Sequence, residues 1–195
     1  LHYPLRRQRQ MCIRDRFVSD GEHLVPTPAV RDYKRALDWD LGSNTGGMGS
    51  YKDKWNLLPF MRESDWKEAL EIGEKIHEKL KGTRRNPGVR GILYMAYIIT
   101  KDGVKVLEIN SRWGDPEVIN ILPILKNDFV DVCFKILDCD LRKLYFENRA
   151  TVVTYAVPLE YGGYASYSGP KRVDLSDAEK LKEKYCDCLL YTSPS

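Results

Sequence analysis

LEINSRWGDPE, Leu107–Glu117, is the stretch on which the reading of this chain turns. It completes an apolar, β-branched run, Val104–Asn110. A similar run, Ile92–Thr100, precedes it, and Lys101-Asp102-Gly103 lies between them, the pattern of a β-hairpin. On a strand, alternate side chains share a face. Glu108 and Asn110 are therefore expected to point one way, and Leu107 and Ile109 into packing. A carboxylate and an amide carbonyl side by side are hard oxygen donors suited to Mg²⁺ (or Mn²⁺) held together with nucleotide phosphates. Arg112, where the strand gives way to a loop, suits a bidentate grip on phosphate. Metal plus guanidinium neutralises charge as a phosphoryl group transfers. On spacing alone, the polar end of an ordinary hairpin strand fits E-x-N at least as well.

Upstream, Leu41–Tyr51 reads as a Gly-rich loop around NTGGMG, Asn44–Gly49. Its glycines let backbone N–H groups approach an anion closely. It does not match the P-loop pattern, and an ordinary flexible loop fits it equally well. Before it, Leu24–Asp32 is extended, with Pro26 and Pro28 excluding a helix. RDYKR, Arg31–Arg35, then reads by default as a solvated strand end. A helix is expected over about Ser64–Leu80, capped by Ser64, with Trp66, Ala69, Leu70, Gly73, Ile76 and Leu80 as its apolar stripe. Downstream, helical stretches cover Glu117–Leu125 and Asp128–Leu137, interrupted near Pro123. A strand follows at Ala150–Val157, then a helix at Asp174–Tyr185 capped by Ser176. The order β, loop, α, hairpin, α, β, α indicates a mixed α+β fold on antiparallel strands.

The two ends read differently. Residues 1–16, LHYPLRRQRQMCIRDR, carry five Arg and one Asp without helical or strand periodicity. Back-translated, Arg6–Asp15 can spell a transposase-type sequencing-library adapter. Cys188–Ser195 can spell a string whose core is the reverse complement of that behind Met11–Arg16. Residues 1–16 are therefore expected to be an adapter-derived, unstructured tail, and residues 188–195 a second adapter-derived tail. Without them the 31 Lys+Arg and 28 Asp+Glu become 26 and 27, and the net charge moves from +3 to −1. The composition-level case for a nucleic-acid partner goes with those arginines. No apolar run approaches the roughly 20 residues of a membrane span. The remaining cysteines, Cys133, Cys139 and Cys186, are odd in number and lack a CxxC, which fits a reduced intracellular protein better than a disulfide scaffold. His23 and His77 have no Cys or His at ligand spacing, so no zinc site is expected.

The ordered set DYKR, NTGGMG, GILYMAYII, EINSRWGDPE and DFVDVC resembles the phosphoribosylamine–glycine ligase family of the ATP-grasp superfamily, along nearly all of Phe17–Asp187. E-x-N is shared across ATP-grasp enzymes, whereas NTGGMG with GDPE is far more specific to this family. The resemblance implies a partial α+β ATP-grasp fold, an antiparallel sheet with packed helices. Its catalytic portion would occupy residues 17–149, incomplete on its N-terminal side, and 150–187 would begin a C-terminal domain. It implies ATP-dependent ligation of glycine to 5-phosphoribosylamine through glycyl phosphate, giving glycinamide ribonucleotide for purine biosynthesis. Glu108 and Asn110 would hold Mg²⁺ (or Mn²⁺) on the ATP phosphates, with Arg112 near the transferred phosphoryl. Asn44, Thr45, Gly46 and Gly47 would line the acyl-phosphate side. Asp32, Lys34, Arg35 and Gly114 would serve the substrate and phosphate region, and Asp115 would meet an amine. A cytoplasmic enzyme is implied, monomeric at full length, with small-molecule substrates and neither nucleic-acid nor membrane partners. The segment alone is expected to be inactive. Two departures stand out, Trp113 where Phe is common and Ser43 where Pro is common. The rival readings are another ATP-grasp carboxylate–amine ligase and a non-catalytic module of the same fold.

Overall fold

The computed structural model describes residues 11–83, 86–172, 174–177 and 180. Its elements are β1 (Met11–Asp20), β2 (Leu24–Pro26), β3 (Arg31–Leu37), β4 (Leu41–Lys52), α1 (Glu63–Leu80), β5 (Lys81–Thr83), β6 (Asn86–Gly88), β7 (Arg90–Thr100), β8 (Gly103–Asn110), α2 (Glu117–Ile121), α3 (Phe129–Leu137) and β9 (Thr151–Thr154). They build an antiparallel sheet in the order β2-β1-β7-β8, a second in the order β3-β4-β9, and the small β5-β6 ribbon. The expected α+β class and the hairpin across Lys101-Asp102 are what the chain adopts.

Alternation along β1 and β7 gives the first sheet two apolar faces. Phe17, Leu93, Met95 and Tyr97 pack under α1 with Ala69 and Val104. Val18 and Ile92 face the other way, onto Val132 of α3 with Leu141 and Leu144. Phe17 is 1% exposed, so its truncation to Ala costs about 3–5 kcal/mol. Acidic Glu63 and Asp65 sit in the first turn of α1 and basic Lys79 in the last, as the helix dipole favours. The N-cap is Arg62 rather than Ser64. Asp65 accepts from the Arg62 backbone N–H (2.9 Å) and from its guanidinium (2.7 and 3.2 Å), and this closes the helix start with a cap two residues earlier in the chain. The buried stripe also differs from the apolar one expected. His77 is buried and Leu80 is not. His77 Nε2 lies 2.9 Å from Ser19 Oγ, whose own proton goes to the Val89 carbonyl (2.7 Å), so the imidazole donates. Burial lowers its pKa, and the nearby Lys81 charge adds to that.

Three further differences have physical reasons. Residues 11–16, expected as an unstructured tail, form the start of β1, in register from Met11↔Ile99 to Arg16↔Tyr94. The eleven-residue β7 offers its backbone edge to any extended neighbour, and Ile13 adds a fully buried side chain beside Ala29, Leu58 and Met61. Leu107 and Ile109, expected in packing, are 51% and 44% exposed because β8 is the edge strand and a bulge falls opposite Ala96/Tyr97. The stretch expected as a Gly-rich loop is the strand β4, hydrogen-bonded between β3 and β9. It still departs from the ladder. Register passes from Tyr33↔Gly49 to Arg35↔Asn44, so Thr45–Met48 bulge out against Lys34 alone.

Buried polar anchors hold the connections. Asp20 accepts from the N–H groups of Glu22 (2.9 Å), His23 (2.6 Å) and Leu141 (2.9 Å) and pairs with His23 Nδ1 (2.9 Å). Burial pushes its pKa up, but these bonds outweigh it and hold the carboxyl below its ordinary value. Lys52, 1% exposed, donates to the carbonyls of Asp53 (2.7 Å), Lys54 (3.3 Å), Trp55 (3.4 Å) and Arg149 (3.0 Å). Desolvation lowers its pKa, partly opposed by Asp53.

Asp128 caps α3 through Val130 N (2.8 Å) and Asp131 N (3.0 Å), and Pro123 sits in a 3₁₀ turn, as the break there predicts. One compact unit ends at Val157 and a second begins at Pro158. The division falls after Val157 and not after Arg149, because β9 pairs with β4. In the second unit Ser168 and Lys171 hold Glu160 (2.7 and 3.0 Å) and pull its carboxyl down to about 2. Most of the helix expected at Asp174–Tyr185, and all of 188–195, lies outside the described residues. Among those described, no helix is long and apolar enough to cross a membrane.

Candidate functional site

Glu108 and Asn110 stand opposite Ala96 and Tyr94 in the β7–β8 register, two residues apart and so on one face. Glu108 is exposed and Asn110 half-buried, at the end of the edge strand. Their donor set fits a hard divalent cation: a carboxylate and an amide oxygen, leaving further positions for phosphate oxygens and water. Among the described residues no group of three or more His, Cys, Asp or Glu could hold a metal by itself. A metal on this face would therefore be shared with a ligand. That is the mode a nucleotide-bound Mg²⁺ uses.

The chain leaves β8 through Ser111–Pro116. Arg112 is exposed, and its guanidinium donates to the Trp113 carbonyl (3.1 Å). The loop is drawn back against the sheet at Gly114. A Cβ there would lie 2.5 Å from Glu117 Oε2 and 2.6 Å from Tyr94 Cε2, so only glycine allows the approach. Tyr94 OH donates to Glu117 Oε1 (3.0 Å), and the carboxylate is 2% exposed. Asp115 stays exposed and accepts from Tyr155 OH.

The bulge of β4 meets this loop. A Cβ on Gly47 would lie 2.9 Å from Pro116 Cδ and 3.6 Å from the Asp115 carbonyl. Tyr155 N–H donates to the Met48 carbonyl (3.0 Å), so one residue ties the bulge to Asp115. Inside the bulge, Thr45 Oγ1 donates to the Lys34 carbonyl (2.9 Å). Lys34 Nζ donates to the Gly46 carbonyl (3.2 Å) and pairs with buried Asp32 (3.3 Å). Arg35 is spent on the hairpin, donating to the Gly42 carbonyl (2.9 Å).

The expected residues therefore fall into two groups. Glu108, Asn110, Arg112, Gly114 and Asp115 line one strand end and its loop. Asp32, Lys34, Thr45, Gly46 and Gly47 gather at the bulge that packs on Pro116. Asn44 lies in the ladder opposite Arg35, at the base of the bulge. Sequence reasoning missed Tyr94, Glu117, Asn120, Ser50 and Tyr155. A signal existed for two of them: Glu117 and Asn120 are polar residues in an otherwise apolar short helix, EVINI, and both are buried.

The sequence and the fold are similar to those of known proteins. The family model for phosphoribosylglycinamide synthetase, ATP-grasp (A) domain, matches residues 15–118. The phosphoribosylamine–glycine ligase of Methanocella arvoryzae is 49% identical over 146 residues, 73% of this chain and 33% of that protein. That of Methanocaldococcus jannaschii is 46% identical over 157 residues, 80% of this chain and 35% of that one. The chain thus spans about a third of the length of the curated relatives it matches. The crystal structure of phosphoribosylamine–glycine ligase from Thermotoga maritima superposes with a TM-score of 0.60 at 29% identity, covering 72% of this chain and 34% of that one. An N5-carboxyaminoimidazole synthase from Aspergillus clavatus, solved with ADP and 5-aminoimidazole ribonucleotide, reaches 0.50 at 13% identity over 77% and 37%, a likeness of fold alone.

Proposed function

Because the chain belongs to the phosphoribosylglycinamide synthetase ATP-grasp family, we propose that it carries part of the catalytic centre of an enzyme joining glycine to 5-phosphoribosylamine at the expense of ATP. The observation that carries this reading is the meeting of the Glu108/Asn110 strand end with the Lys34–Thr45 bulge across Pro116.

A glycine carboxylate oxygen attacks the terminal phosphorus of ATP and ADP leaves. The amine of phosphoribosylamine then attacks the acyl carbon of glycyl phosphate, loses a proton and expels phosphate, leaving an amide. Glu108 and Asn110 would hold Mg²⁺ or Mn²⁺, which when bound would supply positive charge to the ATP phosphates. Arg112, exposed beside the strand end, offers its guanidinium to the phosphoryl in transit. Lys34 and the backbone of Asn44, Thr45, Gly46 and Gly47 present positive charge and N–H groups to the acyl phosphate. Asp32 orients Lys34, Gly114 keeps the loop close, and Asp115, steadied by Tyr155, receives the amine. Arg35 acts by shaping the hairpin beneath them. The enzyme works in the cytoplasm as a monomer.

The test is ADP release in a protein of the relatives' full length. Release that requires both glycine and phosphoribosylamine supports the reading. Release driven by another amino acid or amine assigns a different ligase, and none at all favours a non-catalytic module. The 195-residue chain alone is expected to form no product.

A further inference from the structure

The short helix α2 carries two buried polar side chains that reach different sheets. Glu117, 2% exposed, accepts from Tyr94 OH, and Tyr94 rises from β7 on the face shared with Glu108 and Asn110. One turn on, Asn120, fully buried, exchanges hydrogen bonds with the other sheet. Its Oδ1 accepts from Ser50 Oγ of β4, and its Nδ2 donates to the Thr151 carbonyl (3.1 Å) and Oγ1 (3.2 Å) of β9. Thr151 Oγ1 returns a bond to the Asn120 carbonyl (3.1 Å). Apolar contacts would hold the helix in place and still let it slide. Directional bonds at both ends fix its position along each sheet, and leaving either buried group unpaired is costly.

We propose that α2 is a spacer setting the distance between the two halves of the site, the Glu108/Asn110 face and the β4 bulge. Tyr94, Glu117, Asn120 and Ser50 are its positioning residues. The assignment rests on the ligase reading for its catalytic consequence, though not for its mechanical one. In a reaction that passes a phosphoryl group from ATP on one side to a carboxylate on the other, a shift of about an ångström lowers turnover without weakening the binding of either substrate.

Two measurements test it. In the 195-residue chain, Tyr94→Phe and Ser50→Ala each delete one hydroxyl at opposite ends of the spacer. Each should raise amide hydrogen exchange about tenfold in both 111–118 and 45–50. A rise confined to the variant's own sheet overturns the proposal. In the full-length enzyme, Glu117→Gln keeps an oxygen that accepts from Tyr94 and should hold kcat within about twofold. Glu117→Ala should lower kcat about tenfold with KM for ATP unchanged. A Gln variant as slow as the Ala variant overturns the positioning role, since the charge itself would then be needed. If the unsubstituted enzyme forms no amide, the ligase reading fails, and the exchange experiment still decides the spacer.

Discussion

The two halves of the candidate site are built on sheets of opposite character. The β7–β8 hairpin is made of side chains: apolar runs fill its strands, a Gly-containing turn joins them, and the candidate pair Glu108 and Asn110 sits at a predictable period. The β3–β4–β9 sheet around the bulge is made of backbone, with glycines where neighbours come close. The first kind can be read from one segment. The second depends on what lies opposite each glycine, which is set by Pro116 and Val153, far away in sequence.

The sharpest test of this contrast sets a candidate site residue in the first sheet against a structural one in the second. Glu108→Ala in the full-length enzyme should lower ligase turnover by about 10³-fold, on the scale of losing a group that stabilises charge in the transition state. Its melting temperature should stay within about 2 °C, since the side chain is exposed. Gly49→Ala should do the reverse of a clean active-site lesion. Gly49 has φ +151, and a Cβ there would lie 2.4 Å from the Val153 carbonyl, so β9 must detach. A loss of about 3 kcal/mol in denaturant unfolding is expected. A loss under about 1 kcal/mol would show that β9 is not held as described.

A smaller effect is expected at the tip of the β3–β4 hairpin. Trp39 there is 87% exposed with φ +61, a conformation that bulky residues adopt only under strain. Trp39→Gly should stabilise the chain by about 1 kcal/mol, read as a raised melting temperature. The last effect appears only in acid. Because folding lowers the His77 pKa, its contribution is fully present above the unfolded value of about 6.5 and is lost as pH falls through the folded value. His77→Gln should flatten the stability profile in that range while leaving it unchanged above pH 7. An unaltered slope would assign it to other groups.

These cases show how much was legible. The class, the hairpin, α1 and the E-x-N pair follow from period and turn chemistry. Leu107 and Ile109 were misplaced because alternation says which side chains share a face, but not that β8 is an edge. His77 and Asp65 were missed on α1 because each is buried by virtue of a partner, Ser19 or Arg62, that no periodicity reveals. β4 reads as a loop because glycine lowers strand propensity, whereas here the close approaches at Gly47 and Gly49 require it. Codons mark residues 11–16 as a tail, and backbone pairing is indifferent to codons.

Lys52 gives the fold an internal clock. Its ammonium is shared among four carbonyls on two separate segments, so it serves as a cation built into the chain rather than recruited from solvent. An amine-directed label that quickly marks the exposed lysines must wait for those carbonyls to let go. The rate at which Lys52 is labelled therefore counts openings of the Asp53–Trp55 turn and its tie to Arg149, one lysine reporting on the joint that brings β9 alongside β4.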